Sequence, residues 1–386
     1  MEQRKSIMKR KYDIAAYVYP AYTGDELRTR MFWPEGIGEW QSVKNAEANS
    51  LEYKPEWYET WKKRKPLWGY VNEANTDIMQ LQIDCAVDHG VNVFIYDWYW
   101  YDNRPFLENC LNDGFLKANN SHKMKFYIMW ANHDANHGWD IRHSDEVARN
   151  VIWQGAVDRK QFEIIGRRWI DRYFTKENYY RIDGKPVVSI YSLHDFVIGL
   201  GGVKQAADAL NWLRNEAMKA GLPGVHVQFI RWNGDVENLS GVDSNVMETG
   251  AELIEKLGFD SLTHYQFCHF TSIDRDYSDI IADVVKEWGE IDKEYHIPYY
   301  PHVSVGWDNN PRLKKLRPNI VKNNTPQNFE LALRQAKAYV DTHDLPAPLI
   351  TINSWSEWTE TSYLEPDELN GYGYLEAVKR VFIDEK

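Results

Sequence analysis

The chain has 386 residues, 43% of them hydrophobic and 26% charged, which is the composition of an ordinary globular protein with a sizeable core. Its formal net charge of −12 disfavours nucleic-acid backbones and anionic membranes as partners, and no apolar run is long enough to cross a membrane. The cysteines, Cys85, Cys110 and Cys268, are scattered and include no CxxC pair, so they predict buried free thiols and neither a disulfide framework nor a zinc site.

The N-terminal segment, "MEQRKSIMKRK", is basic, but no apolar signal-peptide core follows it. The sequence as given therefore predicts a cytoplasmic location. If the chain was trimmed from a longer one, a periplasmic or extracellular location is equally compatible with it.

Eight short apolar runs recur along the chain, each rich in β-branched or aromatic residues. They are residues 13–20, 91–100, 125–132, 185–192, 224–232, 259–266, 299–308 and 349–358. Their nearly continuous hydrophobicity is typical of parallel strands that are covered on both faces. Helical patterns lie between many of them, at residues 75–90, 158–174, 203–221, 277–295 and 325–346, and again at 371–382. The alternation predicts an α/β fold, a single (β/α)₈ barrel over residues 1–386.

One connection in this pattern is much longer than a barrel needs. The segment after the first strand, about residues 21–74, holds Trp33, Trp40, Trp57, Trp61 and Trp68. Because it leaves the C-terminal end of a strand, we expect it to lie over the active-site face as a wall or a lid.

Active sites of such barrels lie at the C-terminal ends of the strands, so the strand ends supply the candidate residues. These ends are polar and aromatic, whereas the strand starts are apolar. The predicted substrate-binding residues are Tyr19, Asp97, Trp98, Tyr99, Trp130, Asn132, His133, Trp232, His264, Tyr265, Trp307, Asp308, Asn353 and Trp355.

The last strand carries two glutamates, Glu357 and Glu360, in "ITINSWSEWTETSYLEPD". Strand alternation puts them on different faces, so both reach one pocket only if the chain turns after Trp358. Two carboxyl groups that flank one bond are the minimal equipment for glycoside cleavage. Aromatic surroundings raise the pKa of a carboxyl group, so one of the two could stay protonated near neutral pH. Glu357 and Glu360 are therefore the predicted catalytic residues.

The chain has 17 tryptophans and 24 tyrosines, an aromatic content that suits a carbohydrate cleft. Flat rings pack against the C–H faces of pyranose sugars, and the indole N–H or phenol O–H adds a hydrogen bond. The alternative is an aromatic-rich core. Many of these residues stand beside Asp, Asn, Gly or His, which favours the cleft.

Two further motifs are given structural interpretations. The run "ANHDANHGWDIRHSD" contains His133, His137 and His143 with Asp134 and Asp140, but it lacks a recognised metal-ligand spacing and is predicted to be a substrate loop. The glycine-rich "GLGGVKQ" (199–205) lacks a nucleotide-binding fingerprint and is predicted to be a turn that leads into a helix. We predict neither a metal ion nor another cofactor.

Four motifs together resemble WbsX-like proteins, which are related to glycoside hydrolase family 99. "INSWSEWTETSYLEPDELNGYGYLEAV" resembles the family's C-terminal signature, N-x-W-N-E-W-x-E-x-x-x-L-E-P-D followed by G-x-x-Y-L-E-A. "GIGEWQSVKNA" (36–46), "KPLWGY" (65–70) and "MWAN" (129–132) resemble further motifs in the right order along the chain.

The resemblance implies a (β/α)₈ barrel that acts on an oligosaccharide or polysaccharide. In family 99 the E-x-x-E pair, here Glu357 and Glu360, catalyses retaining cleavage of α-mannosides. The family mechanism proposes that the first glutamate takes the proton of the sugar 2-OH, which closes a 1,2-anhydro sugar. The second glutamate would act as acid and then as base.

The sequence departs from the family motifs at two positions, and two other functions stay open. His133 replaces the glutamate of the family's "WANE", and Ser356 replaces an asparagine, which bears on substrate identity. WbsX-like proteins are also described as glycosyltransferases of polysaccharide synthesis, although the chain has no diphosphate-binding glycine loop. The third possibility is a non-catalytic carbohydrate-binding barrel.

Overall fold

Eight parallel strands form a nearly closed barrel in the computed structural model, which describes residues 12–24, 26–139, 150–234, 239 and 250–385. The strands are β1 (Asp13–Val18), β2 (Val93–Tyr101), β3 (Lys125–Trp130), β4 (Lys185–Ile190), β5 (His226–Ile230), β6 (Ser261–Thr263), β7 (His302–Ser304) and β8 (Leu349–Asn353). Their order is β6-β5-β4-β3-β2-β1-β8-β7, and a bridge between Leu262 and Tyr299 joins the two ends. The (β/α)₈ barrel predicted from the sequence is confirmed.

Ten α-helices are described, and those that follow the barrel strands cover the outer face of the sheet. They are α1 (Trp40–Tyr53), α2 (Pro55–Trp61), α3 (Thr76–Asp88), α4 (Arg159–Trp169), α5 (Leu193–Leu200), α6 (Val203–Lys219), α7 (Gly250–Leu257), α8 (Tyr277–Glu294), α9 (Pro326–Thr342) and α10 (Gly373–Lys379). Side-chain caps begin several of them: Asn75 accepts from the backbone N–H of Asp77 at 2.8 Å, at the start of α3. No described helix has an apolar stretch long enough to cross a bilayer.

Short antiparallel strand pairs lie outside the parallel sheet or at its edges. Residues Arg104–Phe106 pair with β2 and Arg181–Ile182 with β4. Ala135–Asn136 pairs with Val151–Trp153, and Ser356–Glu357 pairs with Ser362–Tyr363. The last pair forms the small hairpin that carries the two predicted catalytic glutamates.

The barrel interior is lined partly by polar side chains, which pair with one another. The hydroxyl of Thr351 lies 2.9 Å from that of Thr263 and 2.9 Å from Nδ1 of His302. Ser189 donates to the side-chain oxygen of Gln228 at 2.8 Å. All five side chains are fully buried, and these bonds offset the cost of removing them from water.

Strand β8 is shorter than the predicted run, which extended to residue 358. It ends at Asn353 because the backbone then folds back on itself: Ser354 donates to the carbonyl of Ser362 at 2.6 Å, and Ser362 donates to that of Asn353 at 2.8 Å. The turn predicted after Trp358 occurs as a 3₁₀ turn over Trp358–Glu360. Glu357 and Glu360 therefore lie on a hairpin beyond the strand.

The long segment after β1 contacts the C-terminal ends of β7 and β8. Trp57 donates through its indole N–H to Oδ2 of Asp308 at 2.7 Å, and Trp61 donates to the hydroxyl of Thr361 at 3.2 Å. The ring centroids of Trp57 and Trp61 are 5.4 Å apart in a stacked pair. These contacts tie the tryptophan-rich segment to the loops that carry the predicted catalytic residues.

Gly38 and Gly69 provide a matched test of this segment, since both have positive φ angles, +59° and +74°. A Cβ at residue 38 would lie 1.9 Å from the carbonyl oxygen of Ala21, whereas a Cβ at residue 69 would meet nothing within 4 Å. We expect Gly69→Ala to lower the free energy of unfolding by roughly 1–2 kcal/mol, the cost of the left-handed conformation. Gly38→Ala should lower the free energy of unfolding by roughly 1–3 kcal/mol more than Gly69→Ala does, because of the clash with the carbonyl oxygen of Ala21. Urea unfolding of both variants measures the difference, and equal losses would contradict the close approach.

Candidate active site

A cavity of about 260 Å³ opens at the C-terminal ends of the strands. Eight of the residues predicted from the sequence line it: Tyr19, Asp97, Tyr99, His133, Trp232, Tyr265, Glu357 and Glu360. Five more residues complete the lining: Met129, Ala131, Trp139, Tyr191 and Arg312. The walls are mainly aromatic, and the charged groups gather at one side.

Three of the predicted binding residues point away from the cavity, because successive residues of a strand face opposite sides. Trp98 and Trp130 contact the ring of Trp169 in α4, with ring centroids 5.5 and 5.6 Å away. His264 stacks under Phe270 with centroids 3.8 Å apart. Their neighbours at positions 97, 99, 129, 131 and 265 line the cavity instead.

The other five predicted residues that do not line the cavity lie in the surrounding structure. Asn132 donates to the carbonyl of Ser192, and Asn353 accepts from the side chain of Gln266. Trp355 packs on Phe94 with centroids 5.1 Å apart, and Trp307 is half-buried. Asp308 supports the loop that follows β7, where it accepts from the backbone N–H of Asn310 at 3.0 Å.

The guanidinium of Arg312 joins three buried carboxyl groups from different parts of the chain. Its Nε donates to Oε1 of Glu39 at 2.7 Å, its Nη2 to Oε1 of Glu357 at 2.7 Å, and its Nη1 to Oε1 of Glu360 at 2.8 Å. The side chain of Arg312 is 11% exposed, and those of Glu39, Glu357 and Glu360 are 0%, 2% and 13% exposed. Charge-assisted bonds of this kind are strong when they are shielded from water.

The loop that carries Arg312 is fixed at several points. The backbone N–H of Asp308 donates to the carbonyl of Glu360 at 2.7 Å, and Thr361 donates to the carbonyl of Asp308 at 2.9 Å. The buried ammonium of Lys54 donates to the carbonyls of Asn310 and Leu313. Burial lowers the pKa of Lys54 to about 8. Arg312 and the two glutamates are thus held on loops bonded to each other.

Burial raises the pKa of both glutamates at this site. For Glu357 the charge of Glu360 adds to the effect of burial, and Arg312 opposes it. For Glu360, burial outweighs the opposing charge and hydrogen bond of Arg312. One positive charge cannot balance three carboxylates, so the arrangement favours a retained proton. A carboxyl pair that shares a proton is suited to acid–base catalysis.

Tyr265 connects the glutamates to Asp97, another buried carboxyl group of the cavity. The phenol oxygen of Tyr265 lies 2.9 Å from Oδ2 of Asp97 and 3.2 Å from Oε2 of Glu357. Burial raises the pKa of Asp97, and the bond from Tyr265 opposes this. Oδ1 of Asp97 and Oε2 of Glu360 are buried and have no hydrogen-bond partner among the described residues. Both atoms therefore have unused hydrogen-bond capacity beside the cavity.

A second buried carboxyl pair supports, from behind, the hairpin that carries Glu357 and Glu360. Glu365 accepts from the indole N–H of Trp358 at 2.6 Å and from the side-chain amide of Gln82 at 2.6 Å. The same amide donates to Glu73 at 3.3 Å. Burial raises the pKa of Glu365 to about 8 and that of Glu73 well above its usual value. This pair anchors Trp358 between the two glutamates of the site.

Three important residues were missing from the sequence-based site. Arg312 ends a short 3₁₀ turn in the loop after β7, Trp139 follows a short hairpin strand, and Glu39 lies within the long segment after β1. For Glu39 a signal existed, because it belongs to the motif "GIGEWQSVKNA". For Trp139 a signal also existed, because it lies in the run predicted to be a substrate loop. For Arg312 the strand-end rule offered no signal.

Metal binding has no support within the described residues, where no three His, Cys, Asp or Glu side chains form a cluster that could hold an ion. His133 lines the cavity, and burial lowers its pKa. Asp140 and His143 of the proposed substrate loop lie outside the described residues.

Residues 14–378 match the family described as "Glycosyltransferase WbsX". The chain belongs to the WbsX family. The resemblance inferred from the motifs is therefore confirmed. Two curated relatives, both described as "Uncharacterized protein WxcX" from strains of Xanthomonas campestris pv. campestris, are 24% identical to this WbsX family member over 370 residues. The match covers 90% of the chain but only 46% of each relative, so the chain spans about half their length.

Solved structures with a similar fold are glycoside hydrolases or are described as similar to them. The family GH99 endo-α-mannosidase of Bacteroides thetaiotaomicron superposes with a TM-score of 0.58 at 12% identity, over 96% of both chains. A "Glycoside hydrolase-like protein" superposes with a TM-score of 0.59 at 14% identity, over 97% of this chain and 94% of the other. Because the sequence identity is only 12–14%, the superpositions show a shared barrel fold and nothing further about the WbsX family member.

Replacing Arg312 with methionine should destabilise the protein in a pH-dependent way. Without the guanidinium, the pKa values of the glutamates rise further above those of the unfolded chain. Stability from such groups is fully present below the unfolded pKa and is lost as pH rises through the folded pKa. We expect the free energy of unfolding to fall by roughly 3–5 kcal/mol near neutral pH and by less near pH 5.

Urea unfolding across this pH range measures the effect. The double variant Arg312→Met/Glu39→Gln is the control, because it removes one carboxylate together with the cation and should recover part of the loss. A deficit that does not change with pH would contradict the shared-charge arrangement.

Proposed function

We propose that the protein is a glycosidase that cleaves an α-linked oligosaccharide or polysaccharide, mannose-containing glycans among them, with retention of anomeric configuration. The observation that carries the proposal is the pair Glu357 and Glu360, bonded side by side to Arg312 at the edge of an aromatic cavity. Two carboxyl groups beside one bound sugar are what glycoside cleavage requires. The rings of Tyr99, Trp139 and Trp232 would bind the sugar faces.

The hydrogen bonds of the two glutamates support different roles. Glu357 accepts from Arg312, and the hydroxyl of Tyr265 can donate its one proton either to Glu357 or to Asp97. The bond from Arg312 stabilises the Glu357 anion once Glu360 holds the proton. Oε2 of Glu360 has no described partner, so it can exchange a proton with the substrate. Glu360 is therefore the proposed acid and base, and Glu357 the proposed base.

The proposed reaction has two displacement steps. Glu357 takes the proton of the sugar 2-OH, O2 bonds to the anomeric carbon, and the bond to the leaving oxygen breaks as Glu360 protonates that oxygen. Water then attacks the anomeric carbon and gives its proton to Glu360, while the bond between O2 and the anomeric carbon breaks and O2 recovers its proton from Glu357. Two inversions give retention.

A glycosyltransferase activity is the second candidate, because the family itself is described by that name. The two functions differ in what they consume. Incubation with α-linked oligosaccharides and no nucleotide sugar should release free sugar if the protein is a hydrolase. Product formed only when a nucleotide sugar and an acceptor are supplied would favour the transferase.

Glu360→Gln should lower turnover of a natural glycoside at least about a hundredfold, since it removes general acid catalysis. A substrate whose leaving group needs no protonation should be affected much less in the bond-breaking step. Glu368→Gln is the matched control, because Glu368 is an exposed acid of the same region. Steady-state and pre-steady-state rates with both substrates test the role, and equal losses on both would contradict it.

The role of Glu357 can be tested with a 2-deoxy-2-fluoro glycoside that has a good leaving group. Such a sugar has no 2-OH, so the proposed route predicts that it binds but leaves no covalent adduct. A direct nucleophile would instead form a glycosyl-enzyme. Intact-protein mass spectrometry reads out the result, with turnover of the 2-hydroxy parent as the control. An adduct on Glu357 would replace this route with an ordinary two-carboxylate mechanism.

A further inference from the structure

A second cavity, of about 200 Å³, adjoins the candidate active site. Three residues line both cavities: His133, Trp139 and Arg312. The remaining lining residues of the second cavity are Asp134, Asn136, Gly138, Asn309, Leu313 and Arg317. A glycan bound at Glu357 and Glu360 would extend into this space along the ring of Trp139.

Arg317 gives the second cavity a cation with unused donors. Its side chain is exposed and makes no hydrogen bond or ion pair with any described residue. Arg312, by contrast, already bonds three carboxyl groups, and their negative charge offsets its positive charge. Free guanidinium groups bind carboxylates and phosphates through two parallel hydrogen bonds.

The backbone that carries Arg317 is held in place. Its N–H donates to Oδ1 of Asn310 at 2.8 Å, and Nδ2 of Asn310 donates to its carbonyl at 3.0 Å. Asn310 is fully buried and also donates to Oδ1 of Asp308 at 2.7 Å. The backbone of Arg317 is therefore fixed, so that binding needs to order only its side chain.

No described neighbour forms an ion pair with Arg317. Burial lowers the pKa of His133, so its ring is neutral near pH 7. Asp134 is the one carboxylate among the described residues that line the second cavity, and it accepts from the backbone N–H of Gly155 at 2.8 Å without pairing with Arg317. The half-buried amide of Asn309 adds a neutral polar group beside Arg317.

We propose that the second cavity is a subsite for a negatively charged sugar, one that bears a carboxylate or a phosphate ester, next to the sugar whose bond is cleaved. This inference rests on the proposed carbohydrate function and narrows its substrate to acidic glycans. Arg317 recognises the anionic group, and the face of Trp139 contacts the sugar ring.

Binding can be measured in the Glu360→Gln background, so that no substrate is consumed. The probes are the methyl α-glycosides of mannose and of glucose, each as the neutral sugar, the 6-carboxylate and the 6-phosphate, followed by ligand-observed NMR titration. At least one charged form should bind roughly tenfold or more tightly than its neutral parent. The tighter of the two charged forms identifies the source of the anion.

Arg317→Gln should abolish this preference, and Arg317→Lys should retain part of it. Lys315→Gln is the matched control, because it removes the same charge from an exposed residue of the same loop that lines neither cavity. It should leave most of the preference in place. Equal binding of charged and neutral forms, absence of binding by every charged form, or equal losses in Arg317→Gln and Lys315→Gln would each overturn the inference.

Cleavage assays separate this inference from the proposed function. A charge preference that depends on Arg317, without cleavage of any glycan, would leave the subsite standing and reject the hydrolase. Cleavage of neutral and acidic glycans at equal rates, in the wild type and in Arg317→Gln alike, would reject the acidic subsite and leave the hydrolase standing.

Discussion

One guanidinium, that of Arg312, is the centre on which the candidate site depends. It is buried with three carboxyl groups that come from the segment after β1 and from the hairpin after β8. An isolated buried charge is very costly, so neither Arg312 nor the glutamates could be placed here alone. Their mutual pairing sets the geometry of Glu357 and Glu360, and the excess of negative charge favours the retained proton that acid–base chemistry uses.

The surroundings of this centre show how much structure its position requires. Lys54, Asp308 and Thr361 bond the loop after β7 to the rest of the face, and Glu365 holds Trp358 from behind. Each of these groups bonds atoms that would otherwise be unsatisfied, so the loops have few alternative arrangements. Precise placement of charged groups in a dry site is what electrostatic catalysis needs.

Membership of the WbsX family and a barrel shared with glycoside hydrolases bear on function in different ways. Enzymes with a (β/α)₈ barrel catalyse many different reactions, so the fold does not distinguish glycoside hydrolysis from glycosyl transfer. The argument for hydrolysis comes from the site, where a carboxyl pair lies in an aromatic cavity. The relatives in Xanthomonas campestris are about twice as long as the matched region, so the activity of such whole proteins is a wider question than that of this barrel.

The sequence by itself determined the barrel and the family and singled out Glu357 and Glu360 as candidates, because these depend on local patterns. Apolar runs alternating with amphipathic helices identify the strands and helices, and "SEWTE" stands at the end of the last run. The tertiary structure decided which strand-end residues line the cavity. Trp98 and Trp130 were predicted as binding residues, but pleat direction turns them towards α4, and only the closed barrel shows which side is the interior. Arg312 and Glu39 are 273 residues apart in sequence. No local pattern predicts a bond over that separation, since it forms only when the segment after β1 folds back over β7 and β8.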